Sequence, residues 1–219
     1  MRHLLLCLIL LCAPFAVAAK DVKRDAPDET LGLKFWVQDT TLVFDTESKV
    51  NGDEAEMTVR DIKRLLAMLT DNPDITELEL NSTGGSVFAG DEMARIVIDF
   101  ELNTVVSGEC SSSCVNVFLG GKQRRMYLGS KIGFHERSWS ASAIKDYYQT
   151  NRASNKWETP FDFASWSYKD TQAEIHKDLV FFIDRGVDPG FAIRAKRVRP
   201  SGLWYPGRLE LRHSGVLRD

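Results

Sequence analysis

The chain has 219 residues, of which 43% are hydrophobic and 27% are charged, a composition typical of one globular domain rather than of a disordered segment. Its 28 lysines and arginines stand against 31 aspartates and glutamates, which gives a formal net charge of −3. An excess of basic residues is the usual mark of nucleic-acid binding, so we expect no nucleic-acid partner.

The first residues have the pattern of an export signal. A short cationic start at Met1-Arg2-His3 precedes the apolar run Leu4–Leu11, and Ala16-Val17-Ala18 supplies the small residues that signal peptidase needs. We expect residues 1–19 to be removed, residues 20–33 to form a flexible arm, and the mature protein to be periplasmic or secreted. An uncleaved anchor is the alternative. No other segment is long and apolar enough to cross a bilayer, so we expect no transmembrane segment after cleavage.

From residue 34 onward, predicted strands and helices alternate. The predicted strands are Phe35–Val37, Thr41–Phe44, Ile75–Leu80, Thr104–Val106, Met126–Leu128 and Lys131–Phe134. The predicted helices are Thr58–Leu69, Val87–Phe100, Ser112–Leu119, Ser142–Arg152 and Phe163–Arg185. Such alternation is typical of the α/β class, with parallel strands joined by right-handed crossovers. We therefore predict one α/β domain over residues 34–219.

Three groups of residues have ordinary structural interpretations. An aromatic cluster at residues 157–168 favours core or a subunit-contact surface over a substrate pocket. It consists of Trp157, Phe161, Phe163, Trp166 and Tyr168. The basic clusters at residues 122–125 and 194–199 are interpreted as solvated faces. The histidines show no metal-ligand spacing, so we predict no structural zinc and no metal site.

The first segment that could carry chemistry is a glycine-rich turn between a predicted strand and a predicted helix. Its sequence is N-S-T-G-G-S, from Asn81 to Ser86. Paired glycines allow the backbone to approach a ligand and to direct N–H groups at a developing negative oxygen. An ordinary strand-to-helix turn has the same composition, so this segment alone decides nothing.

The second and third segments place a serine near a histidine. The run G-E-C-S-S-S-C, from Gly108 to Cys114, puts Ser112 at the start of a buried helix, where the helix dipole favours an anionic transition state. Helix capping is the alternative role of these serines. The run I-G-F-H ends at His135, and a histidine at a strand end can take the proton of a hydroxyl if the fold brings it within about 3 Å.

Together the three segments resemble the Clp protease proteolytic subunit of the Clp peptidase and crotonase group. The segment from Asn81 to Gly90, N-S-T-G-G-S-V-F-A-G, resembles that family's N-S-P-G-G motif, and residues 108–121 resemble its serine motif and following helix. The resemblance implies a repeated ββα spiral with a parallel sheet and a helical, handle-like insertion, at about residues 138–186, after the histidine strand. It also implies that Ser112 is the nucleophile, that His135 is the general base, and that Gly85 and Ser113 form the oxyanion hole.

Two positions depart from the family: Thr83 stands where the family has a proline, and the family's third catalytic residue is missing. The stretch that corresponds to the family's third catalytic residue, an aspartate, is about Ser201–Leu203 and contains no carboxylate. Ser201 is one substitute and Asp188, which is not aligned with the motif, is another. Because removal of the orienting carboxylate can slow a triad enzyme about 10⁴-fold, a weak enzyme or a catalytic dyad is an open alternative.

Removal of the leader leaves two cysteines, Cys110 and Cys114, which flank the proposed nucleophile. An oxidising compartment favours a disulfide, but their short separation requires a tight turn, so the sequence leaves their pairing open. Cysteines in these positions together with an export signal resemble a secreted branch of the same group.

The function that these observations favour is that of an exported serine hydrolase. We expect a peptidase that uses no cofactor and no ATPase partner, acts on peptides or unfolded protein, and forms a homo-oligomer through its handle. Three alternatives remain open: a catalytically weak or inactive binding and assembly module, a serine–lysine dyad peptidase with Lys131 or Lys145 as base, and acyl-CoA chemistry of the crotonase type.

Overall fold

The structure, a computed structural model, describes residues 34–48, 55–199 and 201–218. The predicted signal peptide (1–19) and arm (20–33) lie outside the described residues. Within those ranges the strands are β1 (Phe35–Gln38), β2 (Thr41–Asp45), β3 (Glu77–Ser82), β4 (Asn103–Ser111), β5 (Arg124–Met126) and β6 (Lys131–Gly133). The helices are α1 (Val59–Asp71), α2 (Val87–Asp99), α3 (Cys114–Leu119), α4 (Ala141–Asn151), α5 (Pro160–Asp184), α6 (Pro189–Ala195) and α7 (Arg208–His213).

The six strands form one sheet that is parallel except at one edge. β1 and β2 form an antiparallel hairpin, and β2, β3, β4 and β5 then follow in order with parallel pairing. Parallel neighbours need a crossover connection, and α1, α2 and α3 provide the three crossovers between β2 and β5. The predicted α/β class with a mainly parallel sheet is therefore confirmed.

Strand β4 is the element that organises the centre of the molecule. It has nine residues, and on the side away from β3 it pairs first with β5 at Thr104–Val106 and then with β6 at Glu109–Ser111. Ser111 lies opposite Gly133 in this pairing. The residues that follow the two strands, Ser112 and Phe134, therefore emerge side by side at the same edge of the sheet.

Helices α1 and α3 bury apolar residues in the core, and α1 begins at a well-defined cap. In α1, Leu65 and Leu69 are buried one turn apart, as the predicted helical periodicity requires. Thr58 and Asp61 form a capping box at its start. All six residues of α3 are buried, which explains why five of them are apolar; the sixth, Asn116, donates to Asp91.

Helices α4 and α5 leave the sheet directly after β6. No residue of α4 is buried, and only Phe163, Asp178 and Phe182 are buried along the 25 residues of α5. A helix pair with so little burial covers little of the core. No helix in the described ranges is both long and apolar enough to span a membrane.

The cluster at residues 122–125 differs from its prediction as a solvated face. Arg124 is fully buried, and its guanidinium donates hydrogen bonds to the carbonyls of Leu119, Arg185, Gly215 and Val216. Burial, with the nearby charges of Arg185 and Arg218, lowers its pKa to about 10. The strand predicted at Met126–Leu128 accordingly begins earlier, at Arg124, because this charged residue belongs to the sheet.

Candidate active site

Ser112 lies in a strained turn between β4 and α3. Its φ of 54° is in the left-handed region, which non-glycine residues rarely adopt and which costs about 1 kcal/mol or more. The backbone N–H of Ser112 donates to the Gly133 carbonyl at 3.1 Å, so the end of β6 holds this turn in place. A serine in such a strand-to-helix turn is presented away from the sheet, and Ser112 remains partly exposed.

The glycine turn of residues 84–85 packs directly against this serine. A Cβ on Gly84 would lie 2.8 Å from the Ser111 carbonyl oxygen and 2.9 Å from the Ser112 Cβ. Both glycines have positive φ angles, 102° and 142°. Only glycine permits this backbone conformation together with this close approach. The structure therefore brings the first and second sequence segments into contact.

Two backbone amides of this region have no acceptor within the described part of the chain, namely those of Gly85 and Ser113. The backbone groups on either side of the Gly85 N–H are occupied, since the Gly84 carbonyl accepts from Met57 at 2.7 Å and Ser86 donates to the Met57 carbonyl at 2.8 Å. Free N–H groups beside a serine can stabilise a negatively charged oxygen. They are the two amides that the sequence resemblance assigns to an oxyanion hole.

His135 follows β6 and is held by two backbone attachments. The preceding Phe134 exchanges two hydrogen bonds of 3.0 Å with Trp204, and the following Glu136 donates to the Val198 carbonyl at 2.7 Å. The ring Nδ1 is buried, and it contacts no hydrogen-bond partner among the residues that the structure describes. The attachments fix the backbone of the histidine, whereas no described residue orients its ring through Nδ1.

Ser112 and His135 line the same small cavity, of about 20 Å³. The volume is sufficient for one water-sized group, since about 10–15 Å³ is the minimum for a water. No hydrogen bond joins the Ser112 hydroxyl to the ring among the described residues. Catalytic hydrogen bonds are often longer without substrate and tighten in the complex, so the arrangement is compatible with a nucleophile and its base.

Neither predicted substitute for the third catalytic residue forms a hydrogen bond with the ring Nδ1 of His135. Asp188 caps α6 by accepting the Phe191 N–H at 2.8 Å. Ser201 is exposed. Within the described ranges, then, no side chain orients the imidazole as a third catalytic residue would.

A network of charged residues lies behind the cavity. Lys196, which also lines the cavity, donates to Asp178 at 2.8 Å, and Arg137 contacts both Asp178 and, at 3.3 Å, Asp91. Asp91 also accepts from Asn116 at 2.6 Å. The network ties together α2, α3, α5, the end of α6 and the segment after His135.

Burial and charge shift the pKa of two members of this network. Burial lowers the pKa of the Lys196 amine below its ordinary value, although Asp178 opposes the shift. Burial raises the pKa of Asp91, but the hydrogen bond from Lys177 and the charge of Arg137 outweigh this and hold it below its ordinary value. The prediction of a solvated face at residues 194–199 is therefore wrong for Lys196, whose side chain is only 17% exposed.

The remaining predicted residues occupy clear positions. Cys110 and Cys114 form a disulfide, both residues are fully buried, and the bridge encloses the Ser112 turn. Lys131 pairs with Glu109 at 2.7 Å and Lys145 is exposed on α4, so neither lines the cavity of Ser112. Across residues 34–48, 55–199 and 201–218, no three His, Cys, Asp or Glu side chains are grouped as metal ligands.

Comparison with known proteins supports the fold. No protein-family model and no curated protein matches the sequence. Among solved structures, a ClpP1 point mutant from Listeria monocytogenes is similar, with a TM-score of 0.52 and 13% identity over 74% of this chain and 84% of that chain. At this identity the likeness shows a ClpP-like fold and does not show a catalytic activity.

Proposed function

We propose that this chain is a serine peptidase that cleaves peptides through an acyl-enzyme on Ser112, without an ATPase partner or a cofactor. The observation that carries the proposal is that Ser112 and His135 line one cavity while the glycine turn packs against the serine. The ClpP-like fold and the three sequence segments favour a peptide as the substrate.

In the proposed reaction Ser112 is the nucleophile, His135 is the base, and two backbone N–H groups stabilise the intermediate. The Ser112 oxygen attacks the peptide carbonyl carbon while the His135 imidazole takes the hydroxyl proton. The negative oxygen of the tetrahedral intermediate accepts hydrogen bonds from the Gly85 and Ser113 N–H groups. The imidazolium then gives the proton to the leaving amine, and a water molecule deprotonated by the same ring hydrolyses the ester.

The ring of His135 has no carboxylate partner in the described chain, which predicts slow turnover. Loss of the orienting carboxylate costs about 10⁴-fold in a triad enzyme because the ring is held in neither the right tautomer nor the right orientation. A catalytically inactive binding and assembly module on the same fold is the alternative that this feature favours.

A second enzymatic candidate uses Lys196 in place of His135 as the base. Lys196 lines the same cavity as Ser112, and burial lowers the pKa of its amine, which increases the share of the neutral, basic form. This serine–lysine assignment replaces Lys131 and Lys145. It predicts that His135→Ala retains reactivity whereas Lys196→Met loses it.

We further propose that the protein is exported and self-associates. The Cys110–Cys114 disulfide fits an oxidising compartment. Phe161 is 84% exposed and Tyr168 is 73% exposed on α5, as expected of aromatic residues that a second copy of the chain would cover. Cell fractionation with and without residues 1–19, and sedimentation of wild type against a Phe161→Ser, Tyr168→Ser variant, test these two proposals.

Labelling with a fluorophosphonate probe tests the catalytic proposal. We expect labelling of the wild type, none of Ser112→Ala, and undiminished labelling of the control Ser154→Ala, an exposed serine that lies outside the cavity. Equal labelling of wild type and Ser112→Ala would exclude Ser112 as the nucleophile. A folded wild type that takes up no probe would favour the binding module.

A further inference from the structure

A second and larger cavity, of about 370 Å³, lies beside the candidate active site. It is bounded by α4, α5 and the segment that follows His135. One wall is apolar and aromatic, with Trp139, Ile144, Phe163 and Trp166. A volume of this size is ample for a side chain of a peptide.

The aromatic wall is held in place by further rings. Tyr147 stacks on Trp166 with 5.8 Å between ring centroids, and Trp157 contacts both Trp166 at 4.8 Å and Phe163 at 5.0 Å. These contacts fix the wall before any ligand binds. Phe163 and Trp157 are buried, as the predicted core interpretation expects, and Phe163 and Trp166 in addition line the cavity.

The cavity also carries negative charge that is only partly neutralised. Asp170 and Glu174 lie one turn apart on α5, and both face the cavity. The side-chain carboxylate of Asp170 has no hydrogen bond or ion pair with another described residue. The Glu174 carboxylate has one ion pair among the described residues, and it is long, 3.8 Å from Arg137. Two like charges at this spacing repel each other.

The two basic residues that line this cavity, Arg137 and Lys196, already form ion pairs with aspartates. Arg137 contacts Asp178 and Asp91, and Lys196 contacts Asp178. Burial raises the pKa of the Glu174 carboxyl; Arg137 opposes this shift, and the negative charge of Asp170 adds to it. A positive ligand would relieve this excess of negative charge.

Aromatic faces and free carboxylates together are the groups that bind a guanidinium or an ammonium group. The cavity also lies next to the catalytic region, because Lys196 lines both cavities and Arg137 is two residues from His135. A peptide extended across Ser112 would therefore bring a neighbouring side chain to this cavity.

We propose that the cavity binds an arginine or lysine side chain of the peptide, close to the bond that is cleaved. The role of this cavity as a substrate subsite rests on the proposed peptidase function, but the cavity can bind a positive side chain without hydrolysis. Asp170 and Glu174 hold the positive group, and Trp139 and Trp166 contact its apolar and planar parts.

Isothermal titration calorimetry on Ser112→Ala separates binding from hydrolysis. The probes are two acetylated decapeptides of alanine and serine that differ only in a central arginine or its neutral isostere, citrulline. We expect the arginine peptide to bind at least about tenfold more tightly, equivalent to about 1.4 kcal/mol. Asp170→Asn with Glu174→Gln should reduce its affinity to that of the citrulline peptide.

The matched control removes two carboxylates that lie outside the cavity, with Asp146→Asn and Asp184→Asn, both of which are exposed. This pair has the same change of net charge and should keep the preference for arginine. Equal affinities of the two peptides, no measurable binding of either at millimolar concentration, or an equal loss in the control pair would each overturn the proposal.

The outcome is distinguishable from that of the catalytic proposal. If Ser112 takes up no fluorophosphonate but the arginine preference persists, hydrolysis is excluded and the cation site stands. If Ser112 is labelled and no preference exists, the site is excluded and hydrolysis stands.

Discussion

The contact between Gly84 and the Ser112 turn makes Gly84→Ala an informative perturbation. The new Cβ would lie 2.8 Å from the Ser111 carbonyl oxygen and 2.9 Å from the Ser112 Cβ, so a backbone must shift. A suitable control exists at Gly129, which has a positive φ of 84° and nothing within 4 Å of an added Cβ. Both substitutions place alanine in a left-handed conformation, but only Gly84→Ala creates a steric conflict.

The two effects can be separated by magnitude. The left-handed conformation costs an alanine about 1–2 kcal/mol, which Gly129→Ala should lose from its free energy of unfolding. Gly84→Ala should lose this and a further 1–3 kcal/mol or so from overpacking. Because the displaced atoms belong to the serine turn, its rate of fluorophosphonate labelling should also fall at least about tenfold, since misplacement by about 1 Å can cost about 10²-fold.

Urea unfolding measures the stability of both variants, and time-resolved labelling measures their reactivity. We expect Gly129→Ala to label at the wild-type rate. If Gly84→Ala matched Gly129→Ala in both stability and labelling rate, the glycine turn would not pack against Ser112 as the structure has it.

Three further perturbations test other parts of the structure. In urea unfolding, Arg124→Met should lower the free energy of unfolding by about 3 kcal/mol or more, because buried carbonyls lose a charged donor. The control Arg125→Met removes a half-exposed side chain and should cost under about 1 kcal/mol. Equal losses would contradict the burial of Arg124. Alanine at both Cys110 and Cys114 should cost about 2 kcal/mol, the value for so short a loop, and an unchanged unfolding midpoint without reductant would refute the disulfide. The folded pKa of Asp91 lies below its ordinary value of 3.8, so its stabilisation is complete above that pH and is lost as the pH falls through the lowered folded value. Asp91→Asn should therefore flatten the acid limb of unfolding, and an unaltered limb would contradict the network.

The sequence predicted most of the fold because the signals for its elements are local. Thr58 and the apolar spacing of Leu65 and Leu69 indicated α1, and the structure has that helix with the predicted cap. The strand was predicted at Met126–Leu128, two residues too late, because charged residues such as Arg124 are usually exposed and were assigned to the surface. Its burial depends on carbonyls of the C-terminal residues, which no local pattern reveals.

The candidate site was predictable to the extent that it consists of backbone turns. Glycine pairs and a serine before an apolar helix are visible in the sequence, and the structure brings Gly84 and Ser112 into contact. The roles of Ser112 and His135 as nucleophile and base stay predictions.

The charged network behind these residues could not be predicted. Asp91, Asp178 and Lys196 are far apart in the chain, and each alone resembles an ordinary exposed residue. Only their shared burial in the folded chain makes them a unit.

Mass spectrometric mapping of the fluorophosphonate adduct tests the central claim most directly, because three adjacent serines compete for it. We expect a single adduct, on Ser112, in the disulfide-bonded wild type and no adduct in Ser112→Ala. An adduct on Ser111, on Ser113 or on a serine outside this turn, with Ser112 unmodified in folded protein, would contradict it.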